Sequence, residues 1–188
     1  MHKVRIRLGL LIILLITIVL IIVAILKIEK KYVYPIKYEQ LITQYSDEYD
    51  VDKYLIMAVI KTESGFNEKA ESNVGARGLM QIMPDAFDWI KLKLGDTSDT
   101  TFDDMYDAET NIKYGAYLIS FLYKRYDSES LAAAAYHAGM TQVDRWLEDE
   151  NVSSDGKTIE NIPSRATAHY VDKVTKALQS YKNLYCKE

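Results

Sequence analysis

Residues 8–26 carry no charged side chain, and Thr17 is the only polar one among Leu, Ile, Val, Ala and Gly. At about 1.5 Å per residue, a helix of this length crosses most of a ~30 Å hydrocarbon core, so the segment reads as a membrane span. A cleavable secretory signal also begins basic and turns apolar, but its apolar region is only about 7–15 residues long and ends in a small-x-small site. Here the exit is Ile22-Val23-Ala24-Ile25-Leu26-Lys27, with bulky side chains where small ones are needed. The expectation is an uncleaved anchor. Residues 1–7 then form a tail, 27–37 a connector containing Pro35, and 38–188 one domain. Lys3, Arg5 and Arg7 favour a cytoplasmic tail, although Lys27, Lys30 and Lys31 on the other flank dilute that signal.

After the span the chemistry changes. Residues 32–188 hold 17 Lys and Arg against 26 Asp and Glu, a net charge of −9. So acidic a domain is a poor partner for nucleic acid, whose binding rests on phosphate neutralisation. Cys186 is the single cysteine and cannot form an internal disulfide. His2, His137 and His169 lie far apart without metal-ligand spacing, so neither a metal site nor a cofactor is expected.

Apolar spacing through the domain is helical. Leu41, Ile42 and Tyr45 mark a first helix over 38–49, and Leu55, Ile56, Val59 and Ile60 a second, capped by Asp50 or Asp52. Pro84 opens a helix closed by Gly95, and residues 96–104 read as a surface loop. Asp107 caps a long core helix over 108–126, carrying Ile112, Ala116, Ile119, Leu122 and Tyr126 on one side. A small-residue helix ending at Gly139, a segment over 141–149, an exposed loop over 150–160 and a closing helix over 167–185 complete the chain.

One carboxylate stands apart by position. Glu63 falls one turn after Val59 and Ile60, at the end of a core helix, with Gly65 available as its stop. The negative end of the helix and partial burial both disfavour the ionised form, which would raise its pKa toward that of a general acid. From position alone, a solvated helix end is the commoner outcome. The segment after it, Ser72-Asn73-Val74-Gly75-Ala76-Arg77-Gly78-Leu79-Met80-Gln81-Ile82-Met83-Pro84, is Gly-rich with one amide, Gln81, in an apolar run. Gly75 and Gly78 permit close backbone approaches, and Gln81 can donate and accept toward sugar hydroxyl and acetamido groups. A structural turn would explain the same residues.

Four landmarks in order supply the missing specificity: Glu63-Ser64-Gly65-Phe66, Gly78-Leu79-Met80-Gln81-Ile82-Met83-Pro84, Ala135-Tyr136-His137-Ala138-Gly139, and Ile162-Pro163 followed by Tyr170-Val171. Together they resemble the lytic transglycosylases, peptidoglycan-cleaving enzymes related in fold to goose-type lysozyme. The resemblance covers nearly all of the domain. It implies a mainly α, lysozyme-like (α+β) catalytic domain after one N-terminal transmembrane helix. It also implies that Glu63 is the catalytic acid and base, with Ser72, Met80, Gln81, Tyr136, His137 and Tyr170 at the sugar site. Two positions depart from the family pattern: His137 stands where Asn is usual, and Ala166 where an acidic residue usually begins a Glu-Thr-x-x-Tyr-Val pattern.

The implied reaction cleaves the bond between N-acetylmuramic acid and N-acetylglucosamine and leaves a 1,6-anhydro end, without water, metal or cofactor. The implied partners are peptidoglycan strands and, through the anchor, the cytoplasmic membrane, with the domain on the wall side. Small size and tethering also fit an envelope-spanning machine as partner. Two other readings use the same residues: a muramidase with Asp85 or Asp104 as second carboxylate, and a tethered wall-binding protein in which the departures at His137 and Ala166 have weakened catalysis.

Overall fold

The computed structural model describes residues 2–186. The chain separates into two units, residues 1–36 and 37–188. The first is helix α1, His2–Ile28, continued by a π-helical turn, Glu29–Val33, which falls within the connector expected at 27–37. Its stretch Ile12–Val33 is long and apolar enough to cross a membrane, with mean hydropathy 3.0 and no part buried. The side chains of Lys3, Arg5 and Arg7 lie outside the described residues, as does Met1 of the expected tail.

The second unit contains α2 (Glu39–Tyr49), α3 (Lys53–Glu63), α4 (Pro84–Leu94), α5 (Ala108–Tyr126), α6 (Glu129–Ala138), α7 (Met140–Glu148) and α8 (Arg165–Tyr185). The helix starts follow local capping chemistry. Asp52 accepts from the Tyr54 amide at 2.8 Å, Asp107 from Thr110 at 2.9 Å, Ser128 from Leu131 at 3.3 Å and Ser164 from Thr167 at 3.3 Å. Pro84 opens α4 and Gly95, at φ +63°, closes it.

Six consecutive α3 residues, Leu55 to Ile60, are buried, which makes α3 the central rod instead of an amphipathic surface helix. It packs against α8, α2 and α5, while α6 lies against α5, α7 and α8. The run Ala132 to Ala135 lets α6 approach these neighbours closely, since all four side chains are buried and none extends beyond Cβ.

The mainly helical expectation holds. The sheet part of an α+β arrangement is reduced, among the described residues, to two isolated antiparallel bridges, Glu71 with Arg77 and Arg77 with Ile82. The polar segment expected as a loop over 96–104 instead begins a 3₁₀ turn, Phe102–Tyr106. A capping box starts that turn: the Asp104 carboxylate accepts from the Thr101 amide at 2.7 Å. Helix α8 begins at Arg165, two residues before the apolar spacing becomes visible, because Ser164 supplies its cap.

Candidate active site

Glu63 is the last residue of α3 and is half-buried. Burial pushes its carboxyl up from the ordinary glutamate value to about 7, against the opposing pull of one hydrogen bond from Tyr170. That bond runs from the Tyr170 hydroxyl on α8 to Glu63 Oε1 at 2.7 Å. Burial and the neighbouring Glu63 charge hold the phenols of Tyr170 and Tyr136 well above the usual tyrosine range, so both remain hydrogen-bond donors near neutral pH. A carboxyl that exchanges its proton around pH 7, fixed by a phenol donor, has the properties of a general acid and base.

The Gly-rich segment forms the wall beside this carboxyl, and its Leu79-Met80 backbone is fastened by three side chains, one just after α3 and the others on α5 and α6. Ser64, the residue after Glu63, donates its hydroxyl to the Leu79 carbonyl at 2.7 Å. Tyr136 on α6 donates to the Met80 carbonyl at 2.7 Å. Asn111 on α5 accepts from the Met80 amide at 2.7 Å. The Asn111 amide group also donates to the carbonyls of Arg77 at 3.0 Å and Met105 at 2.8 Å. Asn111 is fully buried and satisfies three backbone groups at once, the Met80 amide and the Met105 carbonyl in buried bonds and the Arg77 carbonyl in a part-buried one.

Gly78 is required by this arrangement on two counts. Its φ is +78°, and a Cβ there would collide with the Met105 carbonyl and the Asn111 amide. Arg77 braces the same segment from outside. Its guanidinium lies 4.5 Å from the centroid of the Phe102 ring and 5.0 Å from that of Tyr106, and Nη1 pairs with Asp103 at 2.6 Å.

The residues expected at the sugar site divide by location. Glu63 and Tyr170 are in direct contact. Met80 is fully buried, its side chain packed against Gly115, so its backbone and not its side chain serves the wall. Gln81 sends both amide hydrogens back into its own loop, to Ala70 O at 3.1 Å and Gly78 O at 3.0 Å. Its Oε1 is therefore what it can offer a ligand, in place of the donor and acceptor pair expected from sequence. Ser72 Oγ accepts from the amides of Val74 at 3.3 Å and Ala76 at 3.0 Å, shaping the turn while its own hydrogen stays available.

His137 lies against the Tyr170 ring, with centroids 4.7 Å apart, and its Nδ1 is 3.2 Å from Thr167 Oγ1. Ser64 and Asn111 were not among the residues singled out from sequence. Asn111 leaves one trace there, an amide beside Ile112 on the core side of α5, and Ser64 is present only as a member of the Glu63-Ser64-Gly65-Phe66 landmark, with no role of its own. Asp104, a candidate second carboxylate, is committed to its capping box, while Asp85 is exposed in the first turn of α4.

Comparison with known proteins agrees with this geometry. Residues 40–159 match the family described as the transglycosylase SLT domain. The chain belongs to this family. The soluble lytic murein transglycosylase of Salmonella typhimurium is 32% identical over 143 residues, which are 75% of this chain and 22% of that protein. The membrane-bound lytic murein transglycosylase C of Glaesserella parasuis is 30% identical over 169 residues, 79% of this chain and 46% of that one. The chain thus spans less than half the length of either relative. The crystal structure of the 70 kDa soluble lytic transglycosylase of Escherichia coli superposes with a TM-score of 0.73 at 29% identity, covering 80% of this chain and 25% of that one.

Proposed function

We propose that the chain is a membrane-anchored lytic transglycosylase of peptidoglycan, with a lysozyme-like catalytic domain held on the wall side of the cytoplasmic membrane by α1. The observation that carries this reading is the half-buried Glu63, raised to about 7 and aligned by Tyr170 beside a fastened sugar-binding wall. Family membership and the curated relatives named as lytic murein transglycosylases support the same reaction class. The relative named membrane-bound and the apolar stretch Ile12–Val33 support the anchor. The outward orientation is supported by where the substrate lies.

In the proposed reaction, protonated Glu63 gives its proton to the glycosidic oxygen between N-acetylmuramic acid and N-acetylglucosamine as the muramoyl C1–O bond breaks. The substrate's acetamido group supports the positive charge at C1. Glu63, now ionised, takes the proton of the muramoyl C6 hydroxyl, whose oxygen closes on C1 to form the 1,6-anhydro ring. The proton returns to its starting place and no water is consumed. Tyr170 donates to Glu63 and holds the carboxylate in the interval when it is ionised. Gln81 Oε1, the Ser72 hydroxyl and the exposed His137 face supply polar contacts for the sugars, while Tyr136 and Met80 hold the wall from behind.

Full-length protein in detergent micelles, incubated with purified sacculi, tests the proposal by mass spectrometry of released muropeptides. Products lighter by one water than hydrolytic ones, and absent with Glu63→Gln, are expected. Reducing-end products would identify a muramidase instead. Wall binding without any product would identify a tethered binder.

A further inference from the structure

We infer that His137 is a positioning residue for the reaction: its imidazole, anchored to Thr167 and laid against the Tyr170 ring, fixes the phenol that donates to Glu63. The inference rests on the catalytic reading of Glu63 given above, and it concerns a position where the family resemblance leads one to expect asparagine.

The observations form one chain of contacts. Ser164 caps α8, accepting from both the backbone amide and the hydroxyl of Thr167, at 3.3 and 3.1 Å. Thr167 is 2% exposed, and its hydroxyl hydrogen is directed to Ser164. Thr167 Oγ1 must then accept from His137 Nδ1, which places the neutral imidazole's hydrogen on Nδ1. One turn along α8, the Tyr170 ring meets the His137 ring at 4.7 Å and an interplanar angle of 34°. Tyr170 is 7% exposed, and its hydroxyl ends the chain at Glu63 Oε1, 2.7 Å away.

The two contacts on α8 are three residues apart, on one face of the helix, so His137 grips α8 at two points one turn apart. An asparagine could make the hydrogen bond to Thr167 but has no ring to set against Tyr170. The phenol needs such support, because its hydroxyl reaches a carboxylate carried by a different helix, and a ring free to swing would lengthen the 2.7 Å bond. Protonation of His137 leaves Nδ1–H in place, so the grip does not depend on its charge. Glu63 is faced by Tyr170 from α8 and Tyr136 from α6, and His137 by Thr167 and Tyr170 from α8.

Since the Tyr170 bond lowers the Glu63 pKa, loosening it must raise the pKa. The test reads that titration directly, by ¹³C NMR of the Glu63 carboxyl in glutamate-labelled full-length protein in micelles, with Glu63→Gln assigning the signal. Tyr170→Phe is expected to move the midpoint up by about 0.5–1 pH unit, the size of one ordinary hydrogen bond. His137→Ala is expected to move it part of that distance, and Thr167→Val less far in the same direction. In the Tyr170→Phe background, His137→Ala should add nothing.

Turnover of His137→Ala should fall roughly threefold to tenfold, and His137→Asn should recover part of the loss. If His137→Ala proves unfolded, Thr167→Val and His137→Asn carry the titration test. An unmoved midpoint in these variants overturns the inference. A shift of equal size in the Tyr170→Phe background also overturns it, because His137 would then act on Glu63 without Tyr170. If the wild type releases no glycan product, the catalytic reading fails, while the titration still decides whether His137 positions Tyr170.

Discussion

Tyr170 Oη lies 2.7 Å from Glu63 Oε1, a donor on α8 meeting the final side chain of α3. The pair sets two opposing influences on one proton. Burial favours the protonated carboxyl and the phenol favours the ionised one, with burial the larger. The proposed mechanism needs both forms in turn, first as acid and then as base. A pKa of about 7 leaves neither form inaccessible at neutral pH.

The pH dependence follows from that balance. The acid step requires protonated Glu63, so the rate of glycan release should fall as pH rises through about 7. Removing the phenol in Tyr170→Phe takes away the influence that lowers the pKa, so the alkaline limb should move upward even as maximal turnover drops. Rates of muropeptide release between pH 5 and 9 check this. A limb moving downward would contradict the assignment of Tyr170 as donor.

The same shift has a consequence for stability. The folded pKa of Glu63 lies above its unfolded value, so the folded state binds the proton more tightly. Stability contributed by protonated Glu63 is therefore full at low pH and lost as pH rises from about 4.5 to about 7. Glu63→Gln cannot ionise and escapes this loss. The variant should gain on the order of 1–2 kcal/mol over wild type at pH 8 after allowance for solvent screening, and little or nothing at pH 4. Thermal unfolding at the two pH values measures the difference. An equal gain at both would remove ionisation as its cause.

How much of this the sequence disclosed depends on the range of each interaction. Helix α3 and the terminal place of Glu63 were legible because apolar spacing and the Asp52 cap are local signals. The Gly-rich segment was open to reading as a cleft wall or as a structural turn, and its internal economy was not legible. Gln81 looks free to serve a ligand with donor and acceptor alike, yet the fold turns both amide hydrogens onto Ala70 and Gly78. Asn111 joins residues more than 30 positions away, and a single amide in the long α5 gives no spacing from which to infer them. The 3₁₀ turn at Phe102–Tyr106 was concealed by polar composition, since its organising interactions are a capping box and the Arg77 stack instead of an apolar stripe.

Asn111 should be among the least replaceable polar residues of the domain. Asn111→Ala leaves the Met80 amide and the Met105 carbonyl without their partner in a buried setting and opens a cavity beside Gly78. A loss of about 2–4 kcal/mol is expected, the range for breaking a buried polar network. Chemical denaturation checks the magnitude. Gly78→Ala should be at least as damaging, because it combines φ +78° with a collision against two fixed groups.

Tyr136→Phe separates the fastening of the wall from its overall packing. The ring stays and only the hydroxyl donated to the Met80 carbonyl is lost. Ser64 and Asn111 still hold the neighbouring Leu79 carbonyl and Met80 amide, so the segment should remain folded, with a stability loss of about 1–2 kcal/mol. What should change is local opening. Amide hydrogen exchange over residues 78–82 should accelerate relative to wild type while exchange in the core of α3 does not. Glycan release should fall more than stability alone explains, because Gln81 is carried on the same segment and depends on its position. Unchanged exchange at 78–82 would mean that Ser64 and Asn111 suffice, and that Tyr136 acts on the site only through its proximity to Glu63.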